Sequence, residues 1–275
     1  MKFQIDHDLH IHSYLSLCSN DPSENPEAIL EYGKKNGLKT LCLTDHMWDA
    51  KIPGASKWYA KQPYERIKEI LPLPQSDSVR FLFGCETDMD SQGVIGISKE
   101  TASELDFIIV PTTHMHMDGF TVRGDEDAVE RAKLWSKRFD LLLDADLPFE
   151  KVGVAHLTCS LIWRGRYLEV LRQIPVEEYH RVFEKAAKKG IGIELNFDAR
   201  HMDAETMRLN LLPYQIAKEE GCKFYLGSDA HHPGKPDTKE DEITLMTAKE
   251  NFEAIVDLLQ LSEDDKIPFL QGFNK

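Results

Sequence analysis

Histidine and carboxylate side chains recur in short motifs along this chain, and both are common ligands of divalent metal ions. Each motif comes after a short apolar run. In chain order they are Asp8-Leu9-His10-Ile11-His12, Thr44-Asp45-His46, Gly84-Cys85-Glu86, Thr113-His114-Met115-His116, Ala155-His156 and Gly227-Ser228-Asp229-Ala230-His231. One such motif would say little, but six indicate a multi-metal centre with hydrolytic chemistry.

The first and last motifs share a two-residue spacing. Residues two apart in a strand point to the same side, so His10 and His12 can hold one cation. Asp229 and His231 repeat the spacing after the last apolar run. They would lie beside the first strand if the sheet closed on itself, which predicts that both ends of the chain meet at one site.

The middle motifs provide candidates for further cations. A carboxylate such as Glu86 can bridge two cations, whereas an imidazole nitrogen has only one lone pair for a metal. His114 and His156 are predicted to complete a second cation with Glu86, and His116 is the alternative to His114. In the second motif His46 is the preferred ligand. Asp45 either orients it or binds metal itself.

Other polar residues have less support from the pattern. Glu194, which lies in an apolar run, is interpreted as a carboxylate that orients ligands, as a catalytic group or as a structural one. A phosphate group would need a local cationic clamp. The candidates for phosphate contact are Arg123, Arg164, Arg166, Arg200 and His232.

Seven apolar runs alternate with amphipathic segments, which predicts a parallel α/β barrel of the TIM type. Active sites of such barrels lie at the carboxyl ends of the strands, where the motifs fall. The predicted strands are Phe3–Leu9, Thr40–Leu43, Val79–Gly84, Phe107–Pro111, Val152–Ala155, Ile191–Leu195 and Lys223–Gly227. The predicted helices are Pro26–Asn36, Pro63–Ile70, Asp125–Leu143, Val176–Lys189, Ala204–Glu219 and Ala248–Leu261.

Composition limits the remaining possibilities. We expect residues 1–275 to form one domain, with residues 47–75 as either a lid over the site or an aromatic surface plug. The net charge of −14 disfavours binding to nucleic acid or to an anionic membrane. The first residues do not form a signal-peptide pattern, so a cytoplasmic location with reduced cysteines is expected. The oligomeric state is not readable from the sequence.

Taken together, the ordered motifs from Asp8 to His231 resemble the PHP family, the polymerase and histidinol phosphatase domain. The resemblance implies a distorted seven-stranded barrel and a three-metal centre that hydrolyses phosphate esters. It places His10, His12, Glu86 and Asp229 on a first metal, Glu86, His114 and His156 on a second, and His46 and His231 on a third.

The sequence departs from the family pattern at one position. Many members have a His or Asp after the first motif that completes the third metal, but here Cys18 stands near that place and Asp21 follows. A thiolate is a good ligand for Zn²⁺ and a poor one for Mg²⁺ or Mn²⁺. The alternative is that Cys18 is an inert thiol.

The functional hypothesis is a metal-dependent phosphoesterase with two or three divalent ions (Zn, Mn or Fe). A water acidified by the metals would attack the phosphorus of a small ester, most simply a monoester. Glu86, Asp229 and His231 are the candidate catalytic residues. The alternatives within phosphoesterases are a histidinol-phosphate phosphatase and a nucleotide phosphodiesterase. The alternatives outside that class are a metal-dependent amidohydrolase and a catalytically silent metal-binding module.

Overall fold

A computed structural model describes residues 1–231 and 245–271, so the predicted phosphate contact His232 lies outside the described residues. Within these ranges the strands pair in parallel. The nine strand segments of the described residues are β1 His7–Ile11, β2 Thr40–Leu43, β3 His46–Met47, β4 Arg80–Phe83, β5 Cys85–Thr87, β6 Ile108–Ile109, β7 Val152–Val154, β8 Gly192–Leu195 and β9 Lys223–Leu226.

After β2 and after β4 the chain passes from one sheet to the other and forms a second short strand, β3 or β5, which was not predicted. The order is β1-β2-β4 in one sheet and β3-β5-β6-β7-β8-β9 in the other. Between β4 and β5, the Gly84 amide donates to the Leu43 carbonyl at 2.8 Å and the Cys85 amide donates to the Phe107 carbonyl at 3.2 Å. A Cβ at Gly84 would collide with that Phe107 oxygen. Glycine is therefore required where the pairing changes.

The two sheets also meet where β1 lies beside the end of β9. The Asp229 amide donates to the His10 carbonyl at 2.8 Å, and the His12 amide donates to the Ala230 carbonyl at 3.0 Å. The first strand and the end of the last strand are thus adjacent at the edge that carries the motifs. The predicted parallel α/β fold is confirmed, and closure into a seven-stranded barrel stays a prediction.

The helices connect the strands and begin at recognisable caps. Asn25 accepts from the Ala28 amide, and Asp127 and Glu130 form a capping box that starts a helix after the predicted Asp125. The helices are α1 Pro26–Lys35, α2 Tyr64–Ile67, α3 Lys99–Glu104, α4 Ala128–Asp144, α5 Tyr167–Leu171, α6 Val176–Lys189, α7 Ala204–Glu219, α8 Leu245–Leu259 and α9 Pro268–Gln271. Helices α3, α5 and α9 were not predicted, because six residues or fewer do not show a helical period.

The strands lie inside the molecule. All residues of β1, β2 and β8 are buried, as expected for parallel strands covered on both faces. Trp135, Phe139 and Phe183 pack together between helices α4 and α6. Among the described residues, we find no helix with the length and apolar character needed to span a membrane.

Candidate metal centre

The candidate ligands lie at the carboxyl ends of neighbouring strands. Glu86 in β5 is in register with His46 in β3, and His114, His156 and Asp229 lie a few residues beyond β6, β7 and β9. Parallel strands end at one edge, so side chains from distant parts of the chain converge there.

The first donor group contains His10, His12, Glu86 and Asp229. One ligand atom from each lies within 4.8 Å of the others. Glu86 Oε2 is 3.4 Å from His10 Nε2 and 3.3 Å from His12 Nε2. Asp229 Oδ1 is 3.2 Å from His10 Nε2 and 2.9 Å from His12 Nε2. Two imidazoles and two carboxylates therefore face one point.

The second donor group contains Glu86, His114 and His156. Here the other oxygen of Glu86, Oε1, lies 3.8 Å from His114 Nε2 and 3.7 Å from His156 Nε2. Asp229 Oδ2 is 3.5 Å from His156 Nε2. The carboxylate of Glu86 is thus divided between two groups, the arrangement expected of a bridging ligand.

The third donor group contains Cys18, His46 and His231 and again includes His12. His231 Nε2 lies 3.1 Å from Cys18 Sγ, and the His12 ring stacks on those of His46 and His231 at 4.5 and 4.4 Å. All eight metal ligands predicted without reservation, together with Cys18, therefore fall within three adjoining donor groups.

Carboxylates behind the site fix the orientation of two of these histidines. His10 Nδ1 lies 2.6 Å from Glu194 Oε1, and His114 Nδ1 lies 3.1 Å from Asp88 Oδ2. Since a carboxylate accepts, the proton is on Nδ1 and the Nε2 lone pair points into the site, as in metal-binding histidines. Glu194 also accepts from the His156 amide at 3.2 Å.

Two more histidines are oriented by neutral acceptors. His12 Nδ1 lies 3.0 Å from Ser16 Oγ, and that hydroxyl donates to Asp45 Oδ1 at 2.6 Å. His231 Nδ1 donates to the Asp229 carbonyl at 2.8 Å. Both rings then direct Nε2 towards the donor groups.

Several buried atoms of the site are left without a hydrogen-bond partner. Neither carboxylate oxygen of Glu86 forms a hydrogen bond, and nor does Nδ1 of His46. His46 Nδ1 nevertheless lies 3.0 Å from Glu86 Oε2. A buried carboxylate without hydrogen bonds is costly. A divalent cation would coordinate these donors, so the residues fit the metal ions that the sequence implies.

The protonation of the site reflects the packed carboxylates. Burial alone would raise the pKa of Glu86, but His46 and His10 hold it well below its usual range. Burial opposes the charged form of His12, but Asp229 and Glu86 outweigh it and raise its pKa to about 9. His156 is likewise raised to a pKa of about 9, against burial, chiefly by Asp229. Without a bound cation, the protons on His12 and His156 provide the positive charge beside the carboxylates.

The backbone is strained at two candidate ligands. His156 has a φ of 56° and Asp229 a φ of 55°, the left-handed region that non-glycine residues rarely adopt. Such strain persists where the surrounding structure holds it, and it is concentrated at functional sites.

We expect Glu194→Gln to weaken zinc binding about 10- to 100-fold, because a neutral amide holds His10 less firmly and lowers its basicity. The measurement is zinc affinity by competition with a chromophoric chelator. Glu169→Gln, which removes a surface partner of Arg166, is the control. Equal affinities of the two variants would contradict the orienting role of Glu194.

Three of the alternative ligands, His116, Asp45 and Asp21, lie outside the donor groups found among the described residues. His116 stands edge-on to His114 at 5.3 Å, and burial and His114 lower its pKa to about 4. The Asp45 carboxylate accepts hydrogen bonds from the amide and hydroxyl of Ser13 and from the hydroxyl of Ser16. Asp21 accepts from the amide and hydroxyl of Ser23. Thus His114 lies in a donor group and His116 does not, and Asp45 contacts His12 only through the Ser16 hydroxyl.

The arginine candidates do not form a phosphate clamp in the structure. Arg123, Arg164, Arg166 and Arg200 are exposed. Arg123 pairs with Asp125 at 3.0 Å, Arg166 with Glu169 at 2.7 Å and Arg200 with Glu250 at 2.7 Å. Arg164 lies close enough to His116 to lower its pKa and is the remaining candidate.

Sequence reasoning missed Asp88, Ser16 and Asn196. Asp88 follows Glu86 at the two-residue spacing that puts both on one side of β5, and Asn196 follows Glu194 in the same way; the Asn196 amide lies 2.8 Å from His156 Nδ1. The same periodicity could have found both. Ser16 lies in a loop and gave no signal.

Aromatic residues of the segment 47–75 border the site. The Trp58 and Tyr59 rings lie 5.0 and 6.1 Å from the His46 ring. Tyr59 is buried, and its hydroxyl lies 3.3 Å from Asp88 Oδ2. The segment therefore packs on the centre, and its role as a lid stays a prediction.

A cavity of about 410 Å³ opens beside His156 and Asp229. Its wall combines hydroxyl, amide, imidazole and carboxylate groups, including those of Ser160, Tyr167, Asn196, Asp198, His201 and Asp203. In the described part of the chain no lysine or arginine lines it. The cavity has room for a small polar molecule next to the second donor group.

Comparison with solved structures shows a similar overall fold. The structure is similar to that of a histidinol phosphate phosphatase from Lactococcus lactis complexed with zinc, L-histidinol and phosphate, with a TM-score of 0.56, 17% identity and coverage of 95% of this chain and 98% of that one. It is less similar to a probable 2-pyrone-4,6-dicarboxylic acid hydrolase from Acinetobacter baumannii, with a TM-score of 0.46, 12% identity and coverage of 96% and 97%. No curated protein matches the chain.

The family is established by sequence. Residues 8–198 match the family model of the PHP domain, which is more than half of the 275 residues. The matched region includes His10, His12, His46, Glu86, His114 and His156, six of the eight candidate ligands that converge in the structure. The chain belongs to the PHP domain family.

Proposed function

We propose that this protein is a metal-dependent phosphoesterase that hydrolyses a small phosphate monoester. The observation that supports it most is the position of the Glu86 carboxylate between two donor groups. Its Oε2 faces His10 and His12, and its Oε1 faces His114 and His156. A bridged pair of cation sites suits in-line displacement at phosphorus.

The proposed ligands are the three donor groups described above. When bound, two or three Zn, Mn or Fe ions would supply positive charge that polarises the phosphoryl group and acidifies water. Glu86 holds the first two groups at a fixed separation. Asp229 is a quarter exposed, and the positively charged histidines keep its pKa well below its usual range despite burial. Its ionised carboxylate can accept a hydrogen bond from the attacking water and orient it.

The cavity supports a restricted substrate class. Its carboxylates Asp198 and Asp203 and the net charge of −14 repel a leaving group that carries further phosphates. A neutral or cationic alcohol, with hydroxyl or amino groups for Ser160, Tyr167 and Asn196, suits the wall better. Histidinol phosphate fits this description, and a nucleotide polyphosphate does not.

We expect metal-loaded protein to release phosphate from monoesters of neutral or cationic alcohols with a kcat/KM at least about tenfold above that for nucleoside triphosphates, a difference of about 1.4 kcal/mol. The measurement is phosphate release from a panel of both classes, with diesters followed by coupled dephosphorylation. His10→Ala is the control and should be inactive. Stoichiometric metal without any turnover would favour a silent binding module, and hydrolysis of cyclic amides instead would favour an amidohydrolase.

We also propose that residues 1–275 form one domain whose seven strand runs close into a distorted barrel. The backbone hydrogen bonds from Asp229 to His10 and from His12 to Ala230 support this closure. The rings of Trp58 and Tyr59 beside His46 support residues 47–75 as a lid over the site.

A further inference from the structure

The third donor group differs from the other two in its chemistry. It has no carboxylate, and its outer member is Cys18, an exposed cysteine. Sulfur is a soft donor, whereas the first two groups consist of imidazole nitrogens and carboxylate oxygens. The three groups adjoin one another but are not equivalent sites.

The geometry of His231 directs a lone pair at the cysteine. Its Nδ1 donates to the Asp229 carbonyl, which can only accept. The neutral ring therefore carries no proton on Nε2, and this nitrogen lies 3.1 Å from Cys18 Sγ. A thiol hydrogen can fill the space between the two atoms, and a cation can replace it.

His46 provides a second, independent indication of a ligand. The side chain is buried at 8% exposure, and its Nδ1 lies 3.0 Å from Glu86 Oε2 without forming a hydrogen bond. Its ring stacks on His12 and lies 6.5 Å from the ring of His231. An imidazole buried in this way without a partner is expected to bind something.

His12 belongs to both the first and the third donor group, and its two ring nitrogens already have partners. Its Nδ1 contacts Ser16 Oγ, and its Nε2 lies 2.9 Å from Asp229 Oδ1 in the first group. Cys18, His46 and His231 are then left as three protein donors with a fourth position open, the composition of a reactive rather than a structural zinc site.

We propose that Cys18, His46 and His231 form a zinc-selective, thiolate-ligated site beside the two histidine and carboxylate sites. Binding breaks the S–H bond of Cys18, forms an S–Zn bond and releases the proton to solvent. The inference rests on the proposed metal centre and does not require that the centre hydrolyse phosphate esters.

Two consequences follow from the thiolate. Manganese should fill one site fewer than zinc, since thiolate is a poor ligand for Mn²⁺. An alkylating reagent should remove the third site alone, because it consumes the thiolate and does not touch the imidazoles and carboxylates of the other groups.

The first test is cobalt substitution of the metal-stripped protein. A sulfur-to-cobalt charge-transfer band in the near ultraviolet should grow in the wild type and in Cys159→Ser, and be absent from Cys18→Ser, which should also bind one equivalent less cobalt. Cys159 is the matched control because it lies beside Thr113, with Sγ 3.5 Å from its hydroxyl, and belongs to none of the donor groups found among the described residues. A band that persists in Cys18→Ser, or cobalt uptake by the wild type without a band, would overturn the proposal.

The second test needs no substitution. Iodoacetamide forms an S–C bond with a free thiolate and releases iodide, and the modified cysteine is identified by mass spectrometry. Zinc should slow modification of Cys18 at least about tenfold and manganese should not. Equal rates with and without zinc would overturn the site. A protein with the cobalt band but no phosphate release would keep this inference and lose the proposed function.

Discussion

Replacing Glu86 by glutamine is expected to lower kcat for phosphate release about 1,000-fold or more, which corresponds to about 4 kcal/mol of transition-state stabilisation. Glutamine has nearly the same volume but only one oxygen and no charge. Its single oxygen cannot provide a ligand to both donor groups. In Glu86 one oxygen lies beside His10 and His12, and the other lies beside His114 and His156. One of the two groups therefore loses its oxygen ligand, and the other keeps only a neutral amide oxygen.

The kinetic measurement needs a metal analysis beside it. The metal content of Glu86→Gln should fall at the first two groups, while the cobalt–thiolate band of the third group should persist. Glu104→Gln is the control, because this carboxylate pairs with Lys68 and Tyr64 at the surface. A Glu86→Gln protein with full metal content and wild-type kcat would exclude a bridging role.

The sequence could predict the candidate ligands because two-residue spacing and position after an apolar run are local properties. His10 and His12 lie on one side of β1 by the geometry of any strand, and parallel strands place their ends at one edge. The alternation of strands and helices gave the parallel α/β fold for the same reason. No knowledge of distant contacts was needed for either.

The residues that orient the ligands depend on distant contacts. Glu194 meets His10 across 184 residues of chain, and no periodicity links the two. The choice between His114 and His116 depends on how the loop turns after β6, a two-residue strand. The arginines were proposed because they follow motif-bearing segments. Carboxylates hold three of them at the surface, two from the same segment of chain and one, Glu250, from helix α8. Local patterns therefore find the ligands but do not find the groups that hold them in place.

The affinity of the first two groups for zinc is expected to fall about tenfold for each pH unit below 9, or about 100-fold between pH 8 and pH 6. The reason is competition by protons. Without metal, His12 and His156 each have a pKa of about 9, so each cation must displace at least one proton. Calorimetry in buffers of different ionisation enthalpy should show this proton release at pH 7 to 8. Affinity that is independent of pH over this range would contradict it.

The same shifts predict that the stability of the metal-free protein depends on pH and that the stability of the zinc-loaded protein does not. A histidine whose pKa is raised by folding stabilises the folded protein below its ordinary pKa of about 6.5, and this contribution disappears as the pH rises through the folded value. The metal-free protein should therefore lose thermal stability between pH 7 and pH 9.5, because deprotonated His12 and His156 leave Glu86 and Asp229 without neutralising charge. The zinc-loaded protein should hold its Tm over this range, since the cation replaces the protons. Thermal melts with and without chelator measure both curves, and a metal-free Tm that rises towards pH 9.5 would show that protons do not neutralise the site.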